Sequence, residues 1–221
     1  KIKSSVSDMI LEGKVSKDVI NTFIKEDGTV LPLETVLWDY KVEFDDSIHG
    51  LKKTLKSIVS LYNTYGGYII YGVSEKIKDS EFVVVGIQNN HIDQQKLRGQ
   101  FDKYFGKRIP LVYQEIKITI NDDDKLVGLL FIPKRKKSER SLAPIIDAAD
   151  EKSKFILEKN TVYFRTEDEC KKVVSTDDFI FISSPRIFGE YLLQYRTPSV
   201  YIDHNLPDKS FICPIFVLLF M

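Results

Sequence analysis

Residues 34–75 carry one uninterrupted strand, helix and strand pattern, and it restricts the fold more than any other stretch. From Val36 to Phe44 the chain alternates, with Val36, Trp38, Tyr40, Val42 and Phe44 on one side and Asp39, Lys41 and Glu43 on the other, the period of a half-buried strand. This predicts that Trp38 points into a core and that Asp39 does not. Ile48, Leu51, Leu55, Ile58, Val59 and Tyr62 then recur at helical spacing, leaving Lys52, Lys53 and Lys56 for the remaining face. Asn63-Thr64-Tyr65-Gly66-Gly67 ends the helix, the glycines supplying backbone freedom that other residues lack. Tyr68 to Val73 is almost continuously apolar, as expected of a central strand covered on both faces. Glu34, Asp39 and Glu75 are thereby gathered at the ends of this unit.

The flanking sequence supplies further elements. Val6, Met9 and Ile10, then Val15, Val19, Ile20, Phe23 and Ile24, predict two short helices separated by Gly13 that pack at the edge of the main domain. Residues 81–87 read as a strand forming a hairpin-like pair with Val73, and residues 92–105 as a helix closed by Gly106. Residues 112–120 and 125–132 read as a hairpin turning through Asn121-Asp122-Asp123-Asp124. Those aspartates lack the glycine and distal glutamate of a calcium loop and fit a solvated turn better. Residues 154–157 and 161–165 form a second expected hairpin through Lys159-Asn160, with Arg165 at its strand end. Ser175 or Thr176 caps a helix reaching Ile182, residues 187–195 offer another, and Phe211 to Met221 is almost wholly apolar.

The expected fold is therefore α/β or α+β. Its mixed sheet is built from residues 36–44, 67–73, 81–87, 112–120, 125–132 and 161–165, with helices 48–62 and 92–105 packed on it. An N-terminal helical extension (1–29) precedes the main domain (30–184), and residues 185–221 read as a helix and apolar tail, the lead-in to a further domain.

Charge bears on function by subtraction. The 221 residues hold 32 basic and 32 acidic side chains, so any affinity for nucleic acid must come from a local patch. The densest such patch is Pro133-Lys134-Arg135-Lys136-Lys137-Ser138-Glu139-Arg140, which is either a plain soluble loop or a phosphate-contacting one. Cys170 and Cys213 form no Cys-x-x-Cys pair, which fits a reduced compartment and excludes a cysteine-rich zinc site. With no signal peptide or membrane-length apolar run, the expectation is a cytoplasmic chain without a membrane partner.

The run Glu34-Thr35-Val36-Leu37-Trp38-Asp39-Tyr40-Lys41, a helix, and then Asn63-Thr64-Tyr65-Gly66-Gly67 leading through a strand into Gly72-Val73-Ser74-Glu75 resembles the Schlafen-type AlbA_2 domain family. The likeness covers roughly residues 30 to 180, including Val162-Tyr163-Phe164-Arg165 as the family's late aromatic-arginine strand. Members that cut RNA use three carboxylates, and the resemblance places these on Glu34, Asp39 and Glu75. Asp39 stands where glutamate is usual, and Ser74-Glu75 where two aspartates are usual. The first functional expectation is a metal-dependent endoribonuclease of structured RNA, tRNA or rRNA. In it Glu34, Asp39 and Glu75 hold Mg2+ or Mn2+, Lys41 balances phosphate charge, and Lys134, Arg135, Lys136, Lys137 and Arg165 bind the polymer. The second is a non-cleaving DNA- or RNA-binding or sensor module of a larger, NTPase-fused protein; the third is a dimerisation domain in which two copies form the groove. Against all three, the acids read equally as solvated turn and strand-end residues.

Overall fold

The computed structural model describes residues 6–32, 34–75, 81–88, 91–136, 138–166 and 169–183. Two short helices, α1 (Val6–Glu12) and α2 (Lys17–Phe23), lead into β1 (Trp38–Lys41), α3 (Ile48–Asn63) and β2 (Gly67–Tyr71). A small ladder of β3 (Val73–Glu75) and β4 (Phe82–Val84) follows, then α4 (Gln94–Phe105) and the long hairpin of β5 (Val112–Ile120) and β6 (Asp123–Ile132). The chain continues through β7 (Ala148–Ala149), β8 (Phe155–Leu157), β9 (Tyr163–Arg165), β10 (Cys170–Lys172) and α5 (Thr176–Ser183).

The main sheet has the order β1-β2-β6-β5, with β1 and β2 parallel and the other pairs antiparallel. A parallel neighbour needs a crossover connection, and α3 supplies it. The fold is mixed α+β. Both sheet faces are covered: Trp38, Tyr40, Tyr68, Ile70, Leu129 and Phe131 share one buried cluster with α1 and α2. Ile69, Tyr71, Leu130 and Ile132 share the other with α3 and α4. All five β2 residues are buried, as the unbroken apolar run predicts for a central strand.

The helices stop where their sequences say. Ser47 caps α3 by accepting from Gly50 N at 3.0 Å, Asp93 caps α4 by accepting from Gln95 N and Lys96 N, and Ser175 Oγ accepts from Asp178 N in α5. Gly106 closes α4 in the left-handed conformation at φ 64°.

Several expectations need correction. The first strand is only four residues long, because Gly72 N turns to Lys41 O and Val42 O. Beyond that bend the alternation breaks: Val42 is exposed, and Phe44 packs in the α3 cluster. Residues 81–87 and 161–165 lie outside the main sheet, in the β3–β4 and β9–β10 ladders. The turn at Lys159-Asn160 exists, with Asn160 at φ 62°, yet its flanking strands pair elsewhere, β8 with β7 and β9 with β10. The N-terminal helices cover a sheet face instead of an edge, since Val19, Ile20 and Phe23 are at most 1% exposed. The expected helix at 187–195, the tail and Lys137 lie outside the described residues.

Candidate functional site

The turn from α3 into β2 determines where the site forms. Asn63 Nδ2 donates to Leu142 O and Tyr163 O, each at 2.8 Å, and its Oδ1 accepts from Leu142 N at 2.7 Å. Thr64 Oγ1 donates to Ser60 O and accepts from Arg165 N at 2.9 Å. Two short polar residues at the helix end thus pin β9, a strand a hundred residues away in sequence, by its backbone at alternate positions. Arg165 is delivered over the end of β1 as a result.

There it meets two acids. Arg165 Nη2 lies 3.0 Å from Glu34 Oε2 and 3.1 Å from Asp39 Oδ1, and its Nε donates to Thr35 O at 3.4 Å. The Asp39 side chain is 2% exposed and that of Arg165 3%. This overturns the expectation that Asp39 stays out of the interior. Strand alternation reports which side a residue faces; here the facing side is roofed by β9. Asp39 and Lys41 share the face of their register partners Ile69 and Tyr71.

The remaining oxygens are also engaged. Tyr40 lies on the edge of β1 turned from β2, because Leu37 and Lys41 supply the carbonyls that face Tyr68 and Gly72. The N–H of Tyr40 donates to Glu34 Oε1 at 2.8 Å, and its carbonyl accepts from Lys41 Nζ at 3.1 Å. The same ammonium stands 2.8 Å from Asp39 Oδ2, an ion pair outside hydrogen-bonding angles. The acids therefore seal an open strand edge while neutralising two cations. Burial first, and the Asp39 charge second, push the Glu34 pKa above the ordinary glutamate value. Burial opposes the Arg165 charge, but Asp39, Cys170 and Glu34 outweigh it and raise its pKa.

Glu75 is exposed at the end of β3, paired in register with Phe82. Among the described residues no three histidine, cysteine or acidic side chains gather as a metal-binding group. Of the expected triad, then, Glu34 and Asp39 come together, and Glu75 does not join them.

The basic loop is more structural than its sequence implies. Arg135 N donates to Tyr62 O, and its guanidinium reaches Glu139 O and Ile182 O at the end of α5. Lys134 Nζ sits 5.6 Å from the centre of the Tyr65 ring, a cation–π distance. Lys136 is exposed. The loop is fastened by a three-residue clamp that sequence reading missed. Tyr62 Oη donates to Glu139 Oε2 at 2.6 Å, Lys107 Nζ donates to Tyr62 Oη at 2.9 Å, and Lys107 lies 2.8 Å from Glu139. Burial and then Glu139 raise the Tyr62 pKa. Lys107 first and Tyr62 second hold Glu139 down at about 2. A depressed carboxylate stabilises the fold above its ordinary value of 4.5 and loses that contribution as pH falls toward about 2. Glu139→Gln should consequently lower the melting temperature at neutral pH and leave little difference from the parent near pH 2. An equal gap at both ends of the titration would place the acid sensitivity elsewhere.

The Schlafen, AlbA_2 family pattern matches residues 34–174, well over half of the chain. The chain belongs to the Schlafen AlbA_2 family. Comparison with curated proteins finds no match. Among solved structures the chain is similar to the N-terminal domain of a RecG-related protein from Nitrosomonas europaea. The two share 12% identity and a TM-score of 0.38, over 78% of this chain and 96% of the other. Within the family's Asn-Thr-x-Gly-Gly run, Asn63 and Thr64 are the residues that carry β9, and Gly66 and Gly67 permit close backbone packing. A Cβ on Gly66 would stand 2.6 Å from Lys134 N, and one on Gly67 2.1 Å from Leu37 O. The dication that the family resemblance implies does not fit the carboxylates as placed, because a guanidinium already bridges them and Lys41 faces the next oxygen. Arg165, expected to bind the polymer, is instead 3% exposed with its guanidinium turned to Glu34, Asp39 and Thr35 O, because β9 is docked on the end of α3.

Proposed function

We propose that the chain is a nucleic-acid-binding module whose loop 133–140 contacts phosphates. The observation that carries this reading is the clamp of Tyr62, Lys107 and Glu139, which ties the far end of the densest basic run to the body of a chain of zero net charge. Pre-forming a loop before binding removes part of the ordering cost of association. Family membership supports a nucleic-acid-related role, and no helix among the described residues is long and apolar enough to cross a membrane. Lys134 and Lys136 supply phosphate contacts, while Arg135 shapes the loop from within. Replacing Lys134 and Lys136 together by alanine should flatten the salt dependence of binding to tRNA, rRNA or DNA by roughly 0.7 to 0.9 of a slope unit per lost contact. An unchanged slope returns the loop to ordinary surface.

A hydrolytic reading, in which the chain is a metal-dependent endoribonuclease, has one observation in its favour: Glu34 and Asp39 do converge, with the half-exposed Lys41 beside them. Incubating the parent protein with the same polymers, with Mg2+ or Mn2+ and then with chelator, separates the two. Metal-dependent cleavage abolished by Asp39→Asn replaces the binding reading, and retention without cleavage supports it. Light scattering on the same samples tests whether two copies pair to form the groove.

A further inference from the structure

We infer that Arg165 is a built-in counter-cation that bars a divalent ion from Glu34 and Asp39. One nitrogen, Nη2, touches an oxygen of each carboxylate at 3.0 and 3.1 Å, the place a shared metal ion would take. The other two oxygens face the Tyr40 N–H at 2.8 Å and the Lys41 ammonium at 2.8 Å. Two negative charges thus meet two positive ones, and each carboxylate oxygen already has a donor or a cation against it. A hard dication needs about six oxygen ligands at roughly 2.0 to 2.6 Å. To obtain these two acids it must expel a guanidinium and face an ammonium at close range.

Arg165 is not free to step aside. Its backbone N–H is held by Thr64 Oγ1, Tyr163 O two residues earlier is held by Asn63 Nδ2, and its guanidinium also reaches Thr35 O. The side chain is 3% exposed, so swinging it outward would expose the acids and break the guanidinium's contacts with Thr35 O, Glu34 and Asp39, while its backbone stays fixed at the α3 terminus. The arginine is a positioning residue: it sets which cation the acids hold. This inference concerns only the cation at Glu34 and Asp39, and it stands or falls apart from whether loop 133–140 binds a polymer.

The test is a titration of the whole chain with Mn2+ at neutral pH, following free Mn2+ by electron paramagnetic resonance and unfolding by calorimetry. The parent should take up no Mn2+ at Asp39, so that its titration matches that of Asp39→Asn and its melting temperature does not move. In Arg165→Met the acids lose their internal cation, and Mn2+ should now bind and raise the melting temperature; Arg165→Met/Asp39→Asn should lose that gain. Parent uptake that disappears in Asp39→Asn overturns the inference, as does an Arg165→Met protein that is folded and takes up no Mn2+. If Arg165→Met does not fold, the comparison of the parent with Asp39→Asn still decides.

Discussion

Replacing Gly67 by alanine should cost more than about 4 kcal/mol, beyond the range of ordinary point mutations. Two independent reasons combine. Gly67 has φ 151°, a backbone conformation that side chains rarely adopt, so the new residue is strained wherever its methyl group goes. That methyl would also stand 2.1 Å from the carbonyl oxygen of Leu37 and 3.2 Å from a Leu61 methyl. The oxygen cannot yield, because Leu37 O accepts from Tyr68 N at 2.9 Å at the start of the β1–β2 pairing. Relieving the clash means parting the two parallel strands at the point where α3 delivers one to the other. Gly99 is the control: it lies in α4 with nothing within 4 Å of a built Cβ, and Gly99→Ala should gain about 0.5 to 1 kcal/mol from helix propensity. Chemical denaturation of both variants checks the pair. A Gly67→Ala protein within about 1 kcal/mol of the parent would show that the turn can rearrange.

Arg165→Met should destabilise the protein by about 3 to 5 kcal/mol, the usual result of removing one partner from a buried ionic group. The loss comes from what is left behind. Without the guanidinium, the Asp39 side chain, 2% exposed, and Glu34 face each other with only Lys41 to compensate. Neutralising the acids as well should recover much of the loss, so Glu34→Gln/Asp39→Asn/Arg165→Met should be clearly more stable than Arg165→Met alone. Equilibrium unfolding in denaturant reads both steps. Additive losses across the three positions would mean that the residues do not act as a unit.

Local pattern carried much of the architecture. The helical spacing of Leu55, Ile58 and Val59 and the alternation of Ile116, Ile118 and Ile120 correspond to buried faces, because both periodicities are properties of a single element. Ile48 shares the helical spacing yet is 74% exposed, while Gly50 in the same turn is buried. Phe44 was misassigned because the bend after Lys41 resets which side the chain faces. The candidate site was only half readable. The acids stand out by motif, and Glu34 and Asp39 do meet. What covers them depends on β9 docking against the end of α3, a pairing that no periodicity within either segment encodes. The same holds for the clamp, whose members Tyr62, Lys107 and Glu139 come from α3, the segment after α4 and the loop after β6, so no pattern within one segment joins them.

The span between Asp39 and Arg165, 126 residues, also bears on the order of events during synthesis. The residues of β1, α3 and β2 emerge well before those of β9. Closing a loop of this length carries an entropic cost that local contacts do not. The acids are consequently placed early and their arginine arrives late. Until residue 165 is made, the nascent protein carries Glu34 and Asp39 with Lys41 as the nearest cation in sequence, and β9 has yet to roof them. The contact that neutralises the site therefore has to wait for a segment made long after the acids themselves.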